Sequence, residues 1–146
     1  MGTTTVTRRY RFCAAHRLHT DCLSAHENRT VFGKCNNPNG HGHNYVVFVT
    51  VSLDAESRGS SELARLDELV TASIVKRFDH RDLNQDPLFA DRTTTGENLV
   101  VAMWHLLEKQ LGGRLTKVGV IETRDNYFEY SRPIAEAAGM NEVGRG

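Results

Sequence analysis

Along Thr5–Arg17 the residues Val6, Tyr10, Phe12, Ala14 and His16 share one parity, interrupted only by Arg8. That alternation predicts a half-buried strand. Cys22–Asn39 shows no period and runs into Asn36-Asn37-Pro38-Asn39-Gly40, a dense group of turn formers, so a loop is expected there. Asn44–Leu53 is rich in Val, Phe and Tyr, and its odd positions Tyr45, Val47, Val49, Val51 and Leu53 form an unbroken apolar face, the clearest strand in the chain. The period then changes. Leu63, Leu66, Leu69, Val70, Ile74 and Phe78 recur at three and four, predicting an amphipathic helix over Ser61–Phe78. Asp79–Arg92 reads as a polar connection. Thr94-x-x-Glu97 has the form of a capping box opening a second helix over Gly96–Gln110, with Leu99, Met103, Leu106 and Leu107 on its core face and Gly112-Gly113 at its end. Thr116–Thr123 and Tyr127–Arg132 read as a hairpin around Arg124-Asp125-Asn126, and Ser131–Gly146 has no period.

The order ββααββ predicts an α+β fold: a four-stranded antiparallel sheet with two helices on one face. The whole chain, 1–146, is read as a single domain with its core at about 5–132 and a loose tail at 133–146. The second sheet face must be solvated, polar or buried against another subunit, which points to an oligomer. With 146 residues, 39% hydrophobic and 25% charged, the chain suits one globular domain. Its 18 basic residues balance 18 acidic ones, so it lacks the basic excess of a nucleic-acid binder. The longest apolar-rich run, Tyr45–Leu53, is too short to span a membrane, and the N-terminal residues carry no apolar signal core. No nucleic acid, no membrane and a cytoplasmic location are the expectations. Cys13, Cys22 and Cys35 are odd in number and irregular in spacing, which argues against a disulfide scaffold.

The chemistry concentrates around His41-Gly42-His43. In extended backbone these imidazoles project to one face, the face of Tyr45, Val47 and Val49. His16 ends the apolar parity of the first strand, so antiparallel pairing of the two strands would gather three imidazoles at one sheet corner. Three neutral imidazoles suit Zn²⁺ and leave a coordination position open, the catalytic rather than the structural arrangement. Cys35, six residues before His41, could be a buried thiol, a fourth ligand or a reactive thiolate. Asp79-His80 offers a carboxylate and an imidazole, although residues adjacent in sequence rarely pair with each other. Glu122 shares parity with Val118 and Val120, and an acid at the end of an apolar face needs a positive or donor-rich ligand, a salt bridge to a neighbouring Arg or Lys being the bland alternative. Glu97 has a structural role in its capping box.

Five blocks together resemble the 6-pyruvoyl-tetrahydropterin synthase family. They are Phe12-Cys13-Ala14-Ala15-His16-Arg17-Leu18, the run Phe32 to Tyr45 containing Lys34-Cys35-Asn36-Asn37 and His41-Gly42-His43, Asp79-His80-Arg81-Asp82-Leu83-Asn84, Thr94-Thr95-Gly96-Glu97-Asn98, and Ile121-Glu122-Thr123. The resemblance implies the T-fold (tunnelling fold), assembled as a homohexamer from two stacked trimers. It also implies a zinc-dependent lyase acting on a pterin, dihydroneopterin triphosphate. Carried over by position, His16, His41 and His43 would hold zinc and Cys35 would be the general base. Asp79 and His80 would complete its relay from a neighbouring subunit. Glu122 would accept the guanidine-like edge of the pterin, and Glu97, Thr94 and Thr95 would make secondary contacts. The six-residue separation of Cys35 from His41 favours the pyruvoyl type over the relative that makes 6-carboxy-tetrahydropterin for the queuosine pathway, whose separation is usually four. A non-catalytic pterin-binding homologue is the rival from another class.

Overall fold

The computed structural model describes residues 3–54 and 60–132. The expected tail at 133–146 lies outside the described residues. β1 (Thr4–His16) pairs antiparallel with β2 (His41–Leu53) over its full length, from Thr4 opposite Leu53 to His16 opposite His41. β2 continues onto β4 (Leu115–Thr123), and β4 onto β5 (Asn126–Ser131), both antiparallel. β3 (Arg81–Asp82) lies parallel to β1 at Ala14 and Ala15. The strand order is β3-β1-β2-β4-β5. Among the described residues the sheet is therefore five-stranded and mixed, which corrects the four-stranded antiparallel expectation. A two-residue strand is too short to show a period, and only its docking beside β1 defines it.

The helices also exceed the two expected. α1 (Ala25–Phe32) falls within the segment expected to be a loop. Its core-facing stripe is missing because Asn28 is its one buried residue, so the helix rests on local bonds. Ser24 Oγ accepts the Glu27 N–H at 3.1 Å and Glu27 Oε1 accepts the Ser24 N–H at 3.1 Å, a reciprocal cap. Asn28 ties the preceding loop by accepting from the Thr20 N–H and donating to the Thr20 and Leu23 carbonyls.

The longer helical stretch is α2 (Ser60–Val70), a π-helical turn at Thr71–Val75, and α3 (Lys76–Phe78). It buries Leu66, Val70, Ile74 and Phe78, as the period implied. α4 (Gly96–Leu111) buries Leu99, Met103 and Leu107, with Val100, Ala102, Trp104 and Leu111 widening the stripe, and ends at Gly112 with that N–H on the Glu108 carbonyl. Its cap lies one residue later than read. Thr95, not Thr94, receives the Asn98 N–H, at 3.3 Å, so Glu97 belongs to no capping box. These helices share a core with Phe12, Ala14, Tyr45, Val47, Val49, Val51, Val118 and Val120 from one sheet face. Arg8, the exception to the β1 pattern, forks onto Asp67 of α2 at 2.6 and 3.2 Å while the Tyr10 hydroxyl donates to the same carboxylate at 2.7 Å. The interruption is thus a strand-to-helix tie.

Gly96 begins α4 against the ring of Phe128 on β5, and a Cβ there would stand 2.2 Å from that ring. Gly96→Ala should destabilise the fold by about 1–3 kcal/mol despite alanine's better helix propensity, because the ring must be displaced. In a Phe128→Ala background the same change should cost almost nothing. Urea unfolding of the four proteins of this cycle measures the difference, and equal costs in both backgrounds would refute the packing account.

Candidate active site

The pairing of β1 with β2 sets His16 opposite His41 and Ala14 opposite His43. Their faces match, and the three rings meet with centroids 4.6 to 5.0 Å apart and interplanar angles of 66 to 88°. One ligating atom from each lies within 4.8 Å of the other two. Gly40 makes the sharp entry into β2, with φ at 73° and its N–H on the Asn37 carbonyl at 2.9 Å. A Cβ at Gly40 would also crowd the His16 carbonyl oxygen at 3.2 Å.

His16 is 1% exposed, and its Nδ1 lies 2.9 Å from the Thr94 carbonyl oxygen. A carbonyl only accepts, so Nδ1 carries the proton and Nε2 keeps its lone pair. That Nε2 faces His41 Nε2 at 3.0 Å and Glu122 Oε1 at 3.2 Å. Glu122 Oε1 also stands 3.6 Å from His43 Nε2. With Nδ1 committed to Thr94, the lone pair of Nε2 faces the Glu122 carboxylate oxygen, an arrangement that a shared cation would satisfy.

Burial, then repulsion from His16, holds His41 below the ordinary histidine pKa. His43 is likewise held down, by burial first, against the pull of Glu122. Both favour free lone pairs at neutral pH. His41 Nδ1 and His43 Nε2 are buried without a hydrogen-bond partner. Neutral imidazoles, orphaned nitrogens and a facing carboxylate fit a divalent cation of zinc's character. Contact with the His16 ring, ahead of His43 and His41, holds the Glu122 carboxyl below its ordinary value against the effect of burial. The bland alternative for this acid, a salt bridge to Arg or Lys, is not what faces it at the centre, where the imidazoles of His16 and His43 do.

Cys35 sits in a 3-10 turn, Gly33–Asn36, as a half-buried free thiol. The Leu18 N–H donates to its carbonyl at 2.7 Å. Asn36, buried beside it, donates to the Leu18 carbonyl at 2.7 Å, and its own carbonyl accepts from Arg17 Nε at 3.0 Å. These bonds fasten the thiol-bearing turn to the residues that follow His16, a role the turn-rich sequence did not disclose. Thr94 supplies the carbonyl to His16, and Thr95 and Glu97 open α4 next to it.

Asp79 and His80 lie elsewhere. Asp79 Oδ1 accepts the Cys13 N–H at 2.9 Å, and the His80 N–H donates to the Cys13 carbonyl at 2.6 Å. His80 has φ at 58°, the left-handed region, and its ring stands 3.6 Å from Asp79 Oδ2, beyond hydrogen-bond reach. The His80 side chain is 81% exposed. Among the described residues no hydrogen bond joins either of them to Cys35. His80, Cys13, His43 and Arg81 line one cavity of about 460 Å³. Arg17, His19, Asn39, Arg92 and Thr93 line another of about 540 Å³. No helix of the described residues is long and apolar enough to cross a membrane.

A mixed sheet backed by helices, with three imidazoles gathered where two strands end, defines an α+β protein built around a candidate metal centre. Residues 5–133 match the family model described as 6-pyruvoyl tetrahydropterin synthase. The chain is 46% identical over 129 residues to the 6-pyruvoyl tetrahydrobiopterin synthase of Homo sapiens, covering 86% of this chain and 89% of that protein. To the protein of the same name from Drosophila melanogaster it is 42% identical over 133 residues, covering 88% and 79%. It superposes on the 6-pyruvoyl tetrahydropterin synthase structure from Caenorhabditis elegans with a TM-score of 0.83 at 38% identity, over 91% of this chain and 98% of that one. The chain belongs to the 6-pyruvoyl tetrahydropterin synthase family, as the five sequence blocks implied.

The depressed His41 and His43 values carry a pH signature for the metal-free protein. As pH falls from 7.5 through 6.5, the ordinary histidine value, the unfolded chain takes up protons before the folded one. Stability present above that value should therefore decline down to pH 5.5. Urea midpoints should fall across this window, and His41→Gln/His43→Gln should flatten the slope. An unchanged slope in the double variant would contradict the assignment.

Proposed function

We propose that the chain is a zinc-dependent lyase that converts 7,8-dihydroneopterin triphosphate to 6-pyruvoyl-tetrahydropterin and triphosphate. The convergence of three imidazoles and an ionised carboxylate on one corner, in a member of this family, is the observation that carries the reading. His16, His41 and His43 would hold the ion. Bound there, zinc would supply Lewis-acid polarisation of oxygens on the substrate side chain.

The remaining roles belong to the protein's own side chains. Cys35, as thiolate, takes a carbon-bound proton from the substrate side chain as the bond to the triphosphate oxygen breaks. Asp79 orients the His80 imidazole, which exchanges protons with the reacting side chain. Glu122, ionised, accepts two N–H bonds from the guanidine-like edge of the pterin as a bidentate fork. Thr94, Thr95 and Glu97, at the start of α4, border the same ring.

His80 directly precedes the edge strand β3, with its side chain 81% exposed and, among the described residues, no hydrogen bond to Cys35. This supports a relay completed between subunits, and with it a homohexamer built as a dimer of trimers in the T-fold manner. The sheet face that no described helix covers is consistent with such packing. A cytoplasmic location completes the proposal.

Incubation of zinc-loaded protein with dihydroneopterin triphosphate, followed by mass spectrometry and assay of released triphosphate, tests it. The expected product is 6-pyruvoyl-tetrahydropterin. A 6-carboxy product would place the chain with the queuosine-pathway relatives, and pterin binding without triphosphate release would make it a binding protein. Cys35→Ala should retain zinc and lose at least about a hundredfold in kcat. Loss of zinc with the thiol would instead make Cys35 a ligand. Glu122→Gln should raise the Kd for pterin about tenfold or more, since hydrogen bonds to a charged acceptor are lost. Unchanged affinity would remove Glu122 from the pterin site.

A further inference from the structure

Tyr45 lies two residues beyond His43, on the same face of β2, and is fully buried. Its ring stacks on Phe12 at 5.0 Å and 19°, and meets the rings of His16 and His43 at 6.2 and 5.7 Å in edge-to-face geometry. A phenylalanine would make every one of these contacts. The hydroxyl is what phenylalanine lacks, and it is sealed from solvent with no hydrogen-bond partner among the described residues. A buried hydroxyl without a partner costs stability, so its place in this packed layer calls for a reason.

Its surroundings supply one. The register sets Val46 opposite Ile121, so the next pair along the two strands is Tyr45 with Glu122, on the inner face. Adjacent strands thus offer a carboxylate that accepts and a phenol that donates. The edge of a pterin presents the complement: two N–H donors from its guanidine-like part, then the ring carbonyl, an acceptor.

We propose that Tyr45 is a specificity-determining residue whose O–H donates to the pterin ring carbonyl while Glu122 takes the neighbouring N–H pair. The inference rests on the pterin reading above. Glu122 leaves the imidazoles as it takes the ligand edge, and the space it vacates exposes the phenol to the carbonyl.

Tyr45→Phe tests this in the zinc-loaded protein, with neopterin, which carries no triphosphate to eliminate, as a fluorescent binding probe. The expected result is a roughly tenfold rise in the neopterin Kd, unchanged zinc content, and a thermal midpoint at or above that of the unsubstituted protein. With dihydroneopterin triphosphate, KM should rise while kcat holds. An unchanged neopterin Kd would overturn the proposal, as would a fall in kcat at constant KM. So would a variant that loses its fold, since the hydroxyl would then have a structural partner. If the unsubstituted protein itself fails to bind neopterin, the pterin reading fails first, and the two failures are told apart.

Discussion

The architecture depends on the register between β1 and β2. Thirteen consecutive pairs run from Thr4–Leu53 to His16–His41, and the last of them places two imidazoles side by side at the end of a buried layer. A slip of one residue would turn His41, His43, Tyr45, Val47 and Val49 to the opposite face together, losing the core and the centre in one step. The site therefore inherits its geometry from the hydrophobic pattern of two strands. Burial of Tyr45, Val47 and Val49 behind it is what makes the histidine positions definite.

Polar ties finish what the register starts. The Thr94 carbonyl selects the His16 tautomer, so the start of α4 governs which nitrogen faces the centre. Asn36 and the Leu18–Cys35 bond hold the thiol turn against the chain leaving β1. Asp79 and His80 are pinned to Cys13 at the sheet margin, with His80 in left-handed backbone. Strain of that kind persists only where the surroundings over-determine it and is concentrated at functional positions. His80 borders the cavity that His43 also lines, with its side chain exposed and, among the described residues, no hydrogen bond from the Asp79–His80 pair to Cys35.

Much of this was legible in the residues because the signals were periodic. The alternation of Val6 to His16 and of Tyr45 to Leu53 located the two long strands, and matching parities predicted the histidine cluster. Leu66, Val70, Ile74 and Phe78 announced their helix in the same way. α1 escaped because its stability is local: Ser24-x-x-Glu27 was its one signature, and no apolar stripe follows. β3 escaped because two residues carry no period. The cap of α4 slipped from Thr95 to Thr94 because adjacent threonines are equivalent candidates until the Asn98 N–H chooses one. The partner of Glu122 and the orphaned hydroxyl of Tyr45 depend on which side chains converge from different strands, and a one-dimensional pattern does not hold that information. A tyrosine where phenylalanine would pack as well was the available hint.

The central claim is a three-imidazole centre with a position left for an oxygen ligand. Zinc K-edge X-ray absorption of protein loaded with one equivalent of zinc addresses it directly. The account predicts three imidazole nitrogens at about 2.0–2.1 Å with an oxygen completing the shell and no sulfur. A sulfur scatterer at about 2.3 Å, or fewer than three imidazoles, would contradict it.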